Sequence, residues 1–90
     1  MSITITQSHE GFLRYISVKV TAEGSKKIRH VESTYDGFRL GSDSVQPPAS
    51  VFANTYRQQE GISPGRDRIV IVTAKHTDGS SDSGQLRWRD

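Results

Sequence analysis

The residues best suited to bind a metal or move a proton near neutral pH are three histidines, His9, His30 and His76. No two of them fall at i, i+4, and the chain has no cysteine to complete a ligand set. No metal site is therefore expected. The segment Asp78-Gly-Ser-Ser-Asp-Ser-Gly84 offers oxygens, but it lacks the alternating acidic ligands and closing Glu of a calcium loop. No serine stands in a Gly-x-Ser-x-Gly elbow. Gly61 to Gly65 lacks the Gly-Lys-Ser or Gly-Lys-Thr ending of a phosphate loop. The carboxylate pairs Asp78 with Asp82 and Glu32 with Asp36 would serve acid–base chemistry only inside a desolvated cleft. So small a chain makes such a cleft only by pairing with a second copy. The expectation is a protein that is not an enzyme and carries no cofactor.

Binding is the better use of the side chains present. Eight of the twelve basic residues are Arg, and Arg14, Arg29, Arg39, Arg57, Arg66, Arg68, Arg87 and Arg89 are spread along the chain rather than gathered in a block. Guanidinium groups make planar, bidentate and stacking contacts, and here they interleave with Tyr15, Tyr35, Phe38 and Trp88. Arginines and aromatics of this kind dominate protein hot spots and base-stacking platforms alike. Within the set, Arg87-Trp88-Arg89 is the segment most expected to meet a partner, because three such large residues so near the end of the sequence are hard to bury together.

The elements that must position these residues follow from periodicity. Ile3 and Ile5 alternate with polar neighbours from Ser2 to Thr6, the period-two mark of a half-buried strand. After Glu10-Gly11, the run from Phe12 to Val20 puts Phe12, Ile16, Val18 and Val20 on one face and Tyr15, Ser17 and Lys19 on the other. Glu23-Gly24 reads as a tight turn that returns the chain as a partner strand, Lys27 to Tyr35. Asp36-Gly37 is a second turn signal, leading into a short strand from Phe38 to Leu40. Gly41 and the pair Pro47-Pro48 then interrupt the ladder. From Pro48, the residues Ala49, Phe52, Ala53 and Tyr56 follow the i, i+3, i+4, i+7 spacing that predicts a helix, with Gly61 as its stop. Arg68 to Ala74 is an unbroken β-branched run, expected at the centre of the sheet and buried on both faces. Gln85 to Arg89 completes the chain as an edge strand or tail. The expected fold class is α+β: an antiparallel sheet of four to five strands with one helix packed on one face.

Composition sets the outer bounds. Ninety residues, 1–90, suit a single domain. Only 32% of them are apolar, so the core must be small. The net charge of +2 is mild for a dedicated nucleic-acid binder. Without cysteine, a basic leader or an apolar stretch of membrane-spanning length, a cytoplasmic location is expected.

One stretch is more specific. Leu13, Tyr15, Val20, Gly24-Ser25-Lys26, Val31-Glu32, Gly37 and Gly41 run in register, without a gap, with a pattern of small phage anti-CRISPR proteins, and Tyr56 extends the match. Over residues 13 to 56 the chain resembles inhibitors of the type I-F surveillance complex. The resemblance implies a helix-backed antiparallel sheet in the host bacterial cytoplasm. Such a sheet docks on the backbone subunits of the complex and blocks target DNA without catalysis. It also implies that Glu32 meets a lysine of the subunit, a charge-assisted contact. Where the family places its contact tyrosines, this sequence has Gln7 and Thr21. The expected partner-binding residues are Glu32, with Tyr15 and Arg29 beside it, and Arg87 and Trp88. The alternative is a small nucleic-acid-binding accessory protein using the arginines and aromatics of an open sheet face.

Overall fold

The computed structural model describes residues 2–90, and these form seven strands and no helix. In chain order they are β1 (Ser2–Glu10), β2 (Leu13–Thr21), β3 (Ile28–Tyr35), β4 (Phe38–Ala49), β5 (Val51–Gln59), β6 (Asp67–His76) and β7 (Ser81–Arg89). They make two antiparallel sheets, a three-stranded one ordered β1-β2-β5 and a four-stranded one ordered β4-β3-β6-β7. First, second and fifth strands in one sheet, with third, sixth and seventh in the other, is the pairing scheme of immunoglobulin-like sandwiches. The molecule is elongated, 43 × 19 × 18 Å.

The core lies between the sheets. Ile16, Val18 and Val20 of β2 face Ile28, Val31 and Tyr35 of β3 and Val70, Val72 and Ala74 of β6, all buried. Burying each of the larger side chains contributes about 1.5–3 kcal/mol. The strict alternation along β2 and β6 is what two sheets with one wet face each require. Where the sheets close on each other, glycine is needed: a Cβ at Gly41 in β4 would overlap the Tyr56 ring of β5.

The α+β expectation is overturned by this all-β sandwich. Residues 48–60 are not a helix but the end of β4, a corner at Ser50, and β5. Phe52 and Tyr56 lie four apart, a spacing that fits a helix face and a strand face equally; in β5 they point inward together. Val51 and Thr55 are β-branched and suit the strand. The sandwich also has more strands than the expected four to five, since β5 stands in place of the expected helix and Ser81–Arg89 is a full strand, β7.

Three local readings change with it. The segment around Glu23-Gly24 is not a hairpin turn: β2 pairs with β1 and β5, β3 with β4 and β6, so the chain crosses from one sheet to the other there. Phe12 sits in the β1–β2 turn, 74% exposed, and not on the buried face of β2. β6 is central between β3 and β7 as its composition suggests, yet Ile71 on its outer face is exposed, so only one face is buried. The turn at Asp36-Gly37 stands as read, with both residues at positive φ (51° and 84°).

Candidate functional site

Strand direction gathers the turn at residues 11–12, the turn at 36–37 and the loop at 60–66 at one end of the sandwich. Backbone bonds tie them together there, Glu60 N–H to Phe12 O at 2.9 Å and Asp36 N–H to Ile69 O at 2.9 Å. Just beneath lie two arginines buried among the strands, Arg14 (2% exposed) and Arg68 (5%). Each continues the inward parity of its strand, Arg14 ahead of Ile16 and Arg68 ahead of Val70.

Three carboxylates hold them. Arg14 donates from Nε to Glu60 Oε1 at 3.0 Å and from Nη2 to Asp90 Oδ1 at 2.8 Å, with a further bond from Nη1 to Gln7. Arg68 donates from Nη1 to Asp36 Oδ2 at 2.9 Å and from Nε to Asp90 Oδ2 at 3.3 Å, and its Nη2 lies 3.5 Å from Glu60 Oε2. Trp88 Nε1–H donates to Asp90 Oδ1 at 3.0 Å, and the Tyr35 hydroxyl donates to Glu60. The Arg14 guanidinium sits 5.4 Å over the Trp88 ring, Arg68 5.6 Å over Tyr35, and the two rings stack at 5.9 Å.

The electrostatics match this geometry. Burial pushes the Tyr35 hydroxyl up to about 12, and the adjacent Glu60 carboxylate adds to the shift. Burial alone would raise the Asp90 carboxyl, but hydrogen bonds from Trp88, Arg14 and Arg68 outweigh it and hold the group below its ordinary value. For both arginines burial acts downward and is overcome, by Glu60, Tyr35 and Asp90 at Arg14 and chiefly by Asp36 at Arg68, so the charged forms are reinforced. These two positive and three negative groups, bonded to one another, form a structural tie between the sheets.

Above this tie the same end presents apolar side chains to solvent: Phe12 of the β1–β2 turn at 74%, Phe38, the first residue of β4, at 76%, and Ile62 of the β5–β6 loop at 55% exposed. Gly61 lies beneath the edge of the Phe12 ring. The exposed guanidinium of Arg66 flanks them, 3.7 Å from Asp36.

The residues expected to bind a partner do not form one surface. Glu32 is on the outer face of the four-stranded sheet, 3.4 Å from His30. Tyr15 is on the outer face of the other sheet, opposite Ser8 and Arg57. Arg29 sits at a register shift in β3 and donates to the backbone oxygen of His76 at 3.2 Å. Arg87 is exposed on the outer face of β7 opposite Ile69, whereas Trp88 points inward, half-buried in the tie. Arg89 pairs with Asp67 at 3.0 Å.

The other groups weighed for chemistry are equally dispersed. His9 bonds the Glu60 backbone oxygen at 2.9 Å, His30 bonds Ser42 at 3.0 Å, and His76 is buried with Nε2 at 3.2 Å from Asp82. Asp78 closes its own turn through Ser80. Among the described residues, no three His, Cys, Asp or Glu side chains are placed to hold a metal ion. No helix of the structure is long and apolar enough to cross a membrane.

Sequence reading missed the tie and the apolar loop end. An arginine in phase with an alternating apolar run, as at Arg14 and Arg68, was the signal for the first. No family model matches the chain, and neither a curated protein nor a solved structure matches it.

Proposed function

We propose that this protein acts by stoichiometric, non-catalytic binding to another protein, and that it makes contact through the loop end carrying Phe12, Phe38 and Ile62. The observation that carries this reading is the exposure of three large apolar side chains at one end, two on connections and one on the first residue of β4. Large exposed apolar groups gathered in one place are what protein docking sites are made of, and aromatic anchors seated in a partner's pocket supply most of the binding energy. The tie beneath gives the tips a fixed base, so little ordering is needed on binding.

The resemblance of residues 13 to 56 makes a type I-F surveillance complex the first partner to try, with block of target-DNA binding as the outcome. The contact proposed here is not the one expected from the sequence, because no helix backs either sheet and Tyr15, chosen as a neighbour of Glu32, lies on the opposite face of the sandwich. The test is an electrophoretic shift of the purified complex on its target duplex, with and without this protein. We expect loss of the shifted band with the wild type and its return with Phe12→Ser/Phe38→Ser. A complex that keeps its DNA at saturating protein removes that partner. A wild type and double variant that inhibit equally remove the loop end. Protein mixed with DNA alone tests the nucleic-acid alternative, which predicts a shift that weakens steeply from about 50 to 200 mM salt.

A further inference from the structure

Each sheet of an open sandwich ends in strands whose outward backbone groups lack a partner, and proteins usually guard them. The four edges here are protected in different ways. β4 has register shifts against β3 and carries Pro47 and Pro48, which have no N–H to offer. β1 and β7 lean on each other, with Gly84 against the Ile3 side chain.

β5 is different. It pairs with β2 over nine successive residues with no register shift, contains neither Lys nor Pro, and is the end strand of its sheet. The flanking bonds fix which backbone groups it leaves outward. Ser50 O accepts from Ala22, and Glu60 N–H donates to Phe12, so even-numbered residues face β2. By the alternation of a strand, the N–H and C=O of Val51, Ala53, Thr55, Arg57 and Gln59 point to the free edge. Thr55 fits this parity: its N–H points away from β2 and is held by the Asn54 side chain at 2.9 Å, a local contact that opens when the N–H pairs across the edge.

We infer that this edge is a self-association site, at which β5 of a second copy adds antiparallel to β5 to make a continuous six-stranded sheet. The strand is self-complementary. A two-fold axis through Thr55 places Thr55 opposite Thr55 of the second copy, Ala53 opposite its Arg57, and Val51 opposite its Gln59. Every outward residue thereby meets an outward residue, as backbone pairing requires. The strand's one charge, Arg57, faces an alanine and not its own copy, and threonine pairs well across strands. Such an interface is isologous and closes at two chains.

The test is molecular mass by light scattering and sedimentation from about 1 µM to 1 mM, with melts of each variant. We expect a concentration-dependent dimer. Thr55→Pro removes an outward N–H and no backbone bond to β2; the Ser17–Thr55 hydroxyl bond at 3.0 Å is lost with it and registers in the melt, while the fold persists and the dimer is lost. Register is tested at Ala53, whose neighbour across the interface is Arg57. Ala53→Glu tightens association and Ala53→Lys weakens it, each by about tenfold over the two symmetric pairs. Lys19, opposite Ala53 within the chain, shifts the melts of both variants and is read separately at low concentration. A chain that stays monomeric to 1 mM overturns the inference, as does a dimer indifferent to all three substitutions.

Discussion

The two ends of the sandwich handle buried polar groups in opposite ways. At the loop end, Arg14 and Arg68 are each bonded to several partners, and the three carboxylates among them bridge β2, β6 and the residues just beyond β3, β5 and β7. At the other end, where Lys27 O accepts from Thr77, the fully buried His76 has one side-chain partner, the half-exposed Asp82, and its Nδ1 has none. Breaking a buried ion pair costs about 3–5 kcal/mol, while a single buried ring nitrogen without a partner costs about 1–3 kcal/mol. The ends should therefore differ sharply in what substitution does to them.

The largest effect falls at Arg68. Arg68→Ala leaves Asp36, Glu60 and Asp90 with one internal guanidinium, and unfolding in urea should show a loss of about 3–5 kcal/mol. Alkali is the next probe. Tyr35 ionises near 10 when unfolded and near 12 when folded, so its contribution is complete below pH 10 and disappears as pH rises through 12. That difference corresponds to about 2–3 kcal/mol, and Tyr35→Phe should flatten this part of the stability–pH curve. In acid the sign reverses: the lowered Asp90 group contributes above its unfolded value and ceases to as pH falls through the folded one. At the other end, His76→Leu should alter stability by less than about 1 kcal/mol, because an apolar side chain replaces an unpartnered nitrogen and Asp82 can turn to water. An equal loss at Arg68 and His76 would break the contrast. Smallest of all, Phe12→Ser and Phe38→Ser should stay within about 0.5 kcal/mol of wild type in thermal melts while abolishing partner binding.

Most of the strands were legible in the residues, because alternation at 3–5 and 16–20 and the β-branched run at 69–73 state their period directly. The Asp36-Gly37 turn was legible for the same local reason. What failed was non-local. Phe52 and Tyr56 repeat at four, which both periods allow, and the choice was made by β2, whose even-numbered backbone groups need a strand beside them. Which sheet each strand joins is likewise invisible in its own sequence, so Tyr15 and Glu32 looked like neighbours and are not. The tie was hidden because its members meet only in space, though the phase of Arg14 with Ile16 and Val18 was there to be read.

The bond between Arg14 and Asp90 spans 76 residues of chain. No early, local piece of the fold can contain it, since β2 and the end of β7 meet only when both sheets have closed. Closing so long a loop carries a large entropic cost, and we predict that this contact is absent from the folding transition state. Chevron plots should then show Arg14 substitutions steepening escape from the folded state while leaving the refolding limb nearly in place. In that sense Asp90 acts as a latch: it sets how long the assembled sandwich lasts more than how quickly it is made.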